Sequence, residues 1–221
     1  MIILFHNYYY MSRKSEIKNK SLMENKPYLT KKELELILEK KGKNLDKKIS
    51  LLIRDKYLIP LKRGLYVAEN FYLKNRKNFE EYLANILYYP SYLTAEYVLA
   101  KEGVIPESVY VYTNVSLKVT RTFKNQFGTF YYRKIKENLF CGFYQKPYFE
   151  NYRIKIATLA KALFDYLYFK PFLMVKNIQD LRLNLINFKE EDFEEFFSYV
   201  KLSRSEKMKK IYKLIKKEND R

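Results

Sequence analysis

Residues Tyr28 to Ala68 constrain the fold of this chain more tightly than any other stretch. Two short amphipathic helix patterns are followed by two apolar runs, and Lys62-Arg63-Gly64 separates the runs. In the first helix, Thr30 and Glu33 fit the S/T-x-x-E capping box, where hydroxyl and carboxylate each satisfy an orphaned backbone N–H. Leu29 before the cap and Leu34 at the fourth helical position suit a hydrophobic staple, and Leu34, Ile37 and Leu38 continue as one apolar stripe. Gly42 reads as the residue that stops this helix or turns the chain after it.

The second pattern predicts a helix with Asn44 as N-cap that runs to about Lys56. Leu45, Ile49, Leu52 and Ile53 share one face at 3.6-residue spacing. The opposite face presents Lys47, Ser50, Leu51 and Arg54, with Lys48 at its flank. A helix that is held to its domain by one stripe and enters a major groove with the other needs this division, although an ordinary surface helix has it too. The sequence Tyr57-Leu-Ile-Pro-Leu-Lys-Arg-Gly-Leu-Tyr-Val-Ala68 then predicts a hairpin, with Gly64 supplying the positive φ of a tight turn. Pro60 cannot donate to a strand ladder, which makes its strand an edge or places its start there. Helix, turn, helix and a hairpin tip with two cations make residues 25–72 a candidate winged helix-turn-helix, with double-stranded DNA as its partner.

The chain is strongly basic, with 43 Lys and Arg against 25 Asp and Glu and a formal charge of +18. Residues 1–70 are the most basic third, with 16 cations against 8 anions. Such a charge draws a protein to polyanions without specificity. Lys, Ile, Asn, Tyr and Phe are all encoded by A/T-rich codons, and the 23 tyrosines are therefore expected in or beside the core and not as base-stacking platforms. A single cysteine, Cys141, excludes an intrachain disulfide and a cysteine-based zinc cluster. A single histidine, His6, leaves a Ser-His-Asp triad, a Cys-His pair and a multi-histidine metal site without their parts. No run approaches the roughly 18 apolar residues of a membrane span, so the expected location is the cytoplasm.

Residues 1–24 read as an N-terminal extension, disordered or belonging to a mis-assigned start, with Met11 or Met23 as alternative initiators. Polar residues 69–78 read as a connector to a second domain over 78–221. There the patterns predict helices over Phe79–Tyr89 and Thr94–Glu102, the second capped by Gly103. They predict strands over Ser108–Thr113, Leu117–Lys124, Thr129–Ile135 and Phe140–Tyr144, with a turn at Asn125–Gly128. A long apolar helix is expected from Ile154 to Phe169, then amphipathic helices ending in a lysine-rich one. The expected fold class is α+β: an N-terminal winged helix-turn-helix, then a mixed α/β domain with a small antiparallel sheet and C-terminal helices. Lys161 and Asp165 stand four apart on the long helix, a spacing that suits an ordinary ion pair better than a catalytic one. The lysines of the last helix suit a solvated face better than a second nucleic-acid contact.

Four passages together resemble the AbiEi family of antitoxins, the DNA-binding halves of type IV toxin–antitoxin systems. They are Lys62-Arg63-Gly64-Leu65-Tyr66-Val67; Tyr92 to Leu99 with Gly103-Val104-Ile105-Pro106; Gly128 to Arg133 with Phe140-Cys141-Gly142; and Ile156-Ala157-Thr158 with Lys161 to Asp165. The resemblance covers roughly residues 28–170, and Ala160 stands where relatives often carry an acidic residue. It implies a repressor that binds inverted repeats in its own promoter through the N-terminal domain. It also implies an antitoxin that counters a cognate nucleotidyltransferase toxin encoded next door, without a stable complex, and that is not an enzyme; no cofactor and no metal are expected. From the residues themselves, Asn44, Lys47, Ser50 and Arg54 are the candidates to face base edges or nearby phosphates. Lys31, Lys32 and Lys48 are the candidates for the backbone, and Lys62 and Arg63 for the hairpin contact. Two alternatives stand beside this reading: a stand-alone regulator whose C-terminal domain senses a ligand or self-associates, and a carboxylate–metal nuclease, for which no motif is present.

Overall fold

The structure is a computed structural model that describes residues 19–170 and 179–219. Met1 to Tyr10 and the alternative initiator Met11 lie outside the described residues. The chain divides into two compact units, Met1–Phe79 and Glu80–Arg221.

The first unit surrounds a short three-stranded sheet with helices. A helical stretch over residues 19–24 (α1) precedes β1 (Leu29–Thr30), α2 (Lys31–Leu38) and α3 (Gly42–Arg54). The hairpin β2 (Leu58–Lys62) and β3 (Leu65–Ala68) follows, then α4 (Glu69–Lys74). The capping box forms as expected: Glu33 N–H donates to the Thr30 hydroxyl at 3.2 Å, and Thr30 N–H donates to the Glu33 carboxylate at 2.8 Å. Leu29 and Leu34, the staple pair, are fully buried. α2 ends at Glu39 in a left-handed conformation, which satisfies carbonyls of its last turn. Strand order is β1-β3-β2, so Pro60 lies on an edge strand, opposite Tyr66.

Several expectations need correction in this unit. α3 begins at Gly42 with Lys41 as N-cap, so Asn44 lies inside the first helical turn and caps nothing. Gly42, read as a stop or a turn residue, takes the second role: its φ is +52 as the chain swings into α3, a conformation that glycine adopts without strain. At the other end α3 stops at Arg54, because Lys56 turns left-handed and Tyr57 N–H reaches back to the Leu52 carbonyl. Part of the supposed extension is structural: Met23 is buried, and the Glu24 carboxylate accepts from the Tyr57 hydroxyl and the Asn70 amide, both at 2.9 Å. The supposed connector holds α4, whose Phe71 is buried in the core.

The second unit is built on a six-stranded sheet in the order β6-β7-β5-β4-β9-β8. Its elements are α5 (Phe79–Leu87), β4 (Ser91–Leu93), α6 (Ala95–Lys101), β5 (Val111–Ser116), β6 (Arg121–Asn125) and β7 (Gly128–Lys134). After these come β8 (Phe143–Phe149), β9 (Tyr152–Ala157), α7 (Leu159–Tyr168), α8 (Glu190–Ser203) and α9 (Glu206–Asn219). The sheet is larger than expected and mixed, because β4 pairs with β9 and β5 with β7 in parallel. Only the hairpins β6–β7 and β8–β9 announce their partners locally, by turns such as Asn125–Gly128. The expected helix from Ile154 starts five residues later. Ile154 and Ile156 alternate with Lys155 and bury from β9, and Thr158 then caps α7 by accepting from Lys161 N–H at 3.2 Å. Buried tyrosines Tyr82, Tyr92, Tyr132, Tyr166 and Tyr199 furnish much of the core, as the composition suggested. The described residues are thus α+β.

Candidate nucleic-acid interface

The outer stripe of α3 is the most ordered array of chemistry on the first unit. Leu45 and Ile49 bury against the unit's core, while Lys47, Ser50, Leu51 and Arg54 are exposed and Lys48 is half-buried at the flank. The division predicted from periodicity is therefore present. Extending the helix back to Gly42 adds Lys43, four residues before Lys47 and exposed on the same stripe. The sequence reading missed Lys43 because it started the helix at Asn44; carrying the 3.6-residue period one residue further back would have found it.

The hairpin tip lies beside the start of α2. Lys31 N–H donates to the Gly64 carbonyl at 3.0 Å, and a Cβ on Gly64, whose φ is +75, would meet the Lys31 Cβ at 4.0 Å. Lys62 and Arg63 on the hairpin and Lys31 and Lys32 at the head of α2 are thereby gathered. Lys31 then bridges to α3 through an ion pair with Asp46 at 2.5 Å. Hairpin tip, α2 head and α3 form one connected surface, and between residues 31 and 64 there are 11 Lys and Arg against 5 Asp and Glu.

The nine predicted residues all belong to this unit, but they are not equivalent. The Lys31 ammonium is engaged by Asp46, and the Arg54 Nε donates to Asp55 at 3.0 Å. Both pairs are solvent-exposed, so each is weak enough to exchange for a phosphate. The Ser50 hydroxyl donates to the Asp46 carbonyl at 2.9 Å, one turn back, which leaves only its lone pairs for a ligand. Lys32, Asn44, Lys47 and Arg63 are exposed, and Lys62 is half-buried. The Glu33 carboxyl sits at the head of α2. Burial would raise it, but hydrogen bonds from Lys26 and Thr30 and the Lys26 charge outweigh that and hold it below the usual carboxylate range.

The second unit holds two clusters of titratable groups. In the first, Lys161 Nζ pairs with Asp165 Oδ1 at 2.5 Å, with both side chains 0% exposed. The other Asp165 oxygen accepts from the Thr94 hydroxyl at 2.8 Å and the Tyr92 hydroxyl at 3.1 Å. The ammonium also lies over the Phe164 and Tyr199 rings, 4.7 and 5.2 Å from their centroids. The i,i+4 ion pair expected on the long helix is present, and it belongs to a fully buried network joining α7 to the end of β4. Burial pushes the nearby Cys141 thiol up against the pull of Lys161, and the Asp165 and Glu195 charges push the same way, so its reactive thiolate is disfavoured.

The second cluster lines a cleft of about 340 Å³ bounded by Glu81, Tyr97, Val98, Lys101, Lys146 and Ile156, among others. Glu81, 5% exposed, accepts from Lys101, from the Tyr97 hydroxyl at 2.8 Å and from Lys146 at 3.5 Å. Burial alone would raise its carboxyl. The bonds from Lys101 and Tyr97 and the charges of Lys101 and Lys146 outweigh burial and hold it low.

No protein-family model and no curated protein matches this chain. Among the described residues no group of His, Cys, Asp and Glu is placed to hold a metal ion, and no helix is long and apolar enough to cross a membrane.

The lysines of α9 are in part committed within the unit. Met208, Ile211 and Ile215 bury, while Lys207 Nζ donates to the carbonyls of Leu167, Tyr168 and Lys170 at 2.8–3.2 Å and so caps the end of α7. Lys209 pairs with Glu206 and Lys216 with Glu190. Lys210, Lys213 and Lys217 remain exposed.

Proposed function

We propose that this chain is a DNA-binding antitoxin that represses its own operon. In this reading the first unit is a winged helix-turn-helix, α3 is its recognition helix and the β2–β3 hairpin is its wing. The observation that carries the reading is the cationic, exposed stripe of α3 (Lys43, Lys47 and Arg54) joined through Lys31 to the Lys62–Arg63 tip. A stripe of this kind lets α3 enter a major groove while the tip meets phosphates or an adjacent minor groove. Inverted repeats in the promoter would engage two copies. The resemblance to AbiEi antitoxins supports the second half of the proposal, that the C-terminal unit counters a nucleotidyltransferase toxin without a stable complex.

Fluorescence anisotropy at near-physiological salt tests the DNA half, with a duplex from the chain's own upstream region beside a scrambled duplex of equal length. The expected preference is about ten-fold or more, roughly 1.4 kcal/mol, and it disappears in the Lys47→Ala/Arg54→Ala double variant. Equal affinity for both duplexes refutes sequence reading and leaves only generic charge. Growth of cells expressing the neighbouring nucleotidyltransferase, with and without this chain, tests the antitoxin half.

A second reading, a stand-alone regulator whose C-terminal unit binds a small ligand, is favoured by the Glu81–Lys101–Lys146 cleft, whose volume suits a small molecule. The growth assay separates the two: relief of toxicity belongs to the antitoxin, and operator binding without relief to the regulator.

A further inference from the structure

We propose that Leu51 reads the 5-methyl group of a thymine, so that the operator half-site carries a thymine opposite the last turn of α3. The inference rests on the DNA-binding reading above and deepens it. Leu51 is 41% exposed, a large apolar side chain on a stripe otherwise made of Lys43, Lys47, Ser50 and Arg54. Positions 47, 50, 51 and 54 follow one another at helical spacing, which places Leu51 on the same outward side of α3, beside Lys47.

Of its neighbours, only Ser50 has its donor committed, to the Asp46 carbonyl, while Lys47 and Arg54 supply charged donors on either side of an apolar spot that Leu51 alone fills. A saturated hydrocarbon finds one complementary feature on base edges in the major groove, the thymine methyl; the other edge groups there are hydrogen-bond donors and acceptors. A leucine set against cytosine or guanine would instead desolvate an amino group or a carbonyl without returning a bond. The same side chain therefore attracts thymine and disfavours a G·C pair at that position.

The experiment needs no knowledge of the operator sequence. The upstream fragment is made in two forms, one with thymine and one with uracil in its place throughout, which removes the methyl groups and keeps Watson–Crick pairing. The scrambled duplex is made in both forms as well, to remove any general effect of uracil on the helix. Wild-type protein, Leu51→Ala and Leu51→Met are titrated at near-physiological salt.

Wild type is expected to lose about four-fold in affinity for the uracil form of the upstream fragment, the equivalent of one buried methyl-sized group. Leu51→Ala is expected to bind both forms alike, at the affinity of wild type for the uracil form, and Leu51→Met to keep the preference. Circular dichroism checks that the variants are folded. Equal binding of wild type to both upstream forms overturns the proposal, and so does a thymine preference that persists in Leu51→Ala. If wild type fails to distinguish upstream from scrambled thymine DNA, the DNA-reading proposal itself has failed, and the Leu51 contact falls with it.

Discussion

Replacing Lys161 by methionine should unfold the second unit far more readily than any surface change, and the structure sets the size of the effect. Lys161 and Asp165 are both wholly enclosed, 2.5 Å apart, with two hydroxyls filling the remaining oxygen of Asp165. Removing the ammonium leaves a buried carboxylate without its counter-charge, a loss of about 3–5 kcal/mol. For a unit of this size that is roughly a 10 °C fall in the melting temperature, at about 2–4 °C per kcal/mol. In urea the midpoint should fall by about 2 M if the slope is about 2 kcal/mol per M. The deficit also has a sign in pH. Burial already pushes the Asp165 carboxyl up, with Lys161, Thr94 and Tyr92 opposing, and losing Lys161 pushes it further. A carboxyl raised in the folded state costs stability as the pH climbs from its unfolded value to its folded one. The penalty therefore grows as the pH climbs above about 3.9 and fades as the pH falls towards it. Replacing both residues together, Lys161→Met with Asp165→Leu, should recover most of the loss, because no unpaired charge remains. Urea unfolding by circular dichroism at pH 7 and pH 4.5 reads all of this. A single variant within about 1 kcal/mol of wild type, or a double variant as unstable as the sum of the singles, would refute the reasoning.

Three further expectations come from particular contacts. Gly142→Ala should destabilise the second unit severely in a thermal melt, because φ is +73 and the new Cβ would fall against the Tyr199 hydroxyl and within 2.9 Å of the Lys161 Cγ; an unchanged melting temperature would show that Tyr199 can yield. Glu81 has a depressed carboxyl, so it stabilises the fold above its unfolded value of about 4.3 and that contribution is lost as the pH drops through the folded value. Glu81→Gln should therefore flatten the acid limb of a stability-against-pH profile, and an unaltered limb would contradict the assignment. Lys62→Ala with Arg63→Ala should lower the slope of log affinity against log salt by about 1.8 while weakening specific and scrambled duplexes alike, if both cations meet phosphate.

The sequence by itself determined those elements whose signals lie within a turn or two of chain. Thr30 and Glu33 wrote the capping box, the spacing of Leu45 and Ile49 fixed which side of α3 faces outward, and Gly64 set the hairpin, since each depends on neighbours a few residues away. Its errors were local ambiguities: a four-residue alternation around Ile154 and Ile156 also fits the edge of a helix, and the start of α3 was placed on a good capping residue that is not used. Only the tertiary structure decided which strands lie in parallel, because the partners of β4 and β5 are separated from them by other elements and no turn announces them. It alone decided that the Lys161–Asp165 pair is sealed from water, and that Lys31 and Ser50 have each given a donor to Asp46 before any ligand arrives. Periodicity names the face of a helix, but the free charge and free donors on that face depend on the residues that other elements bring beside it.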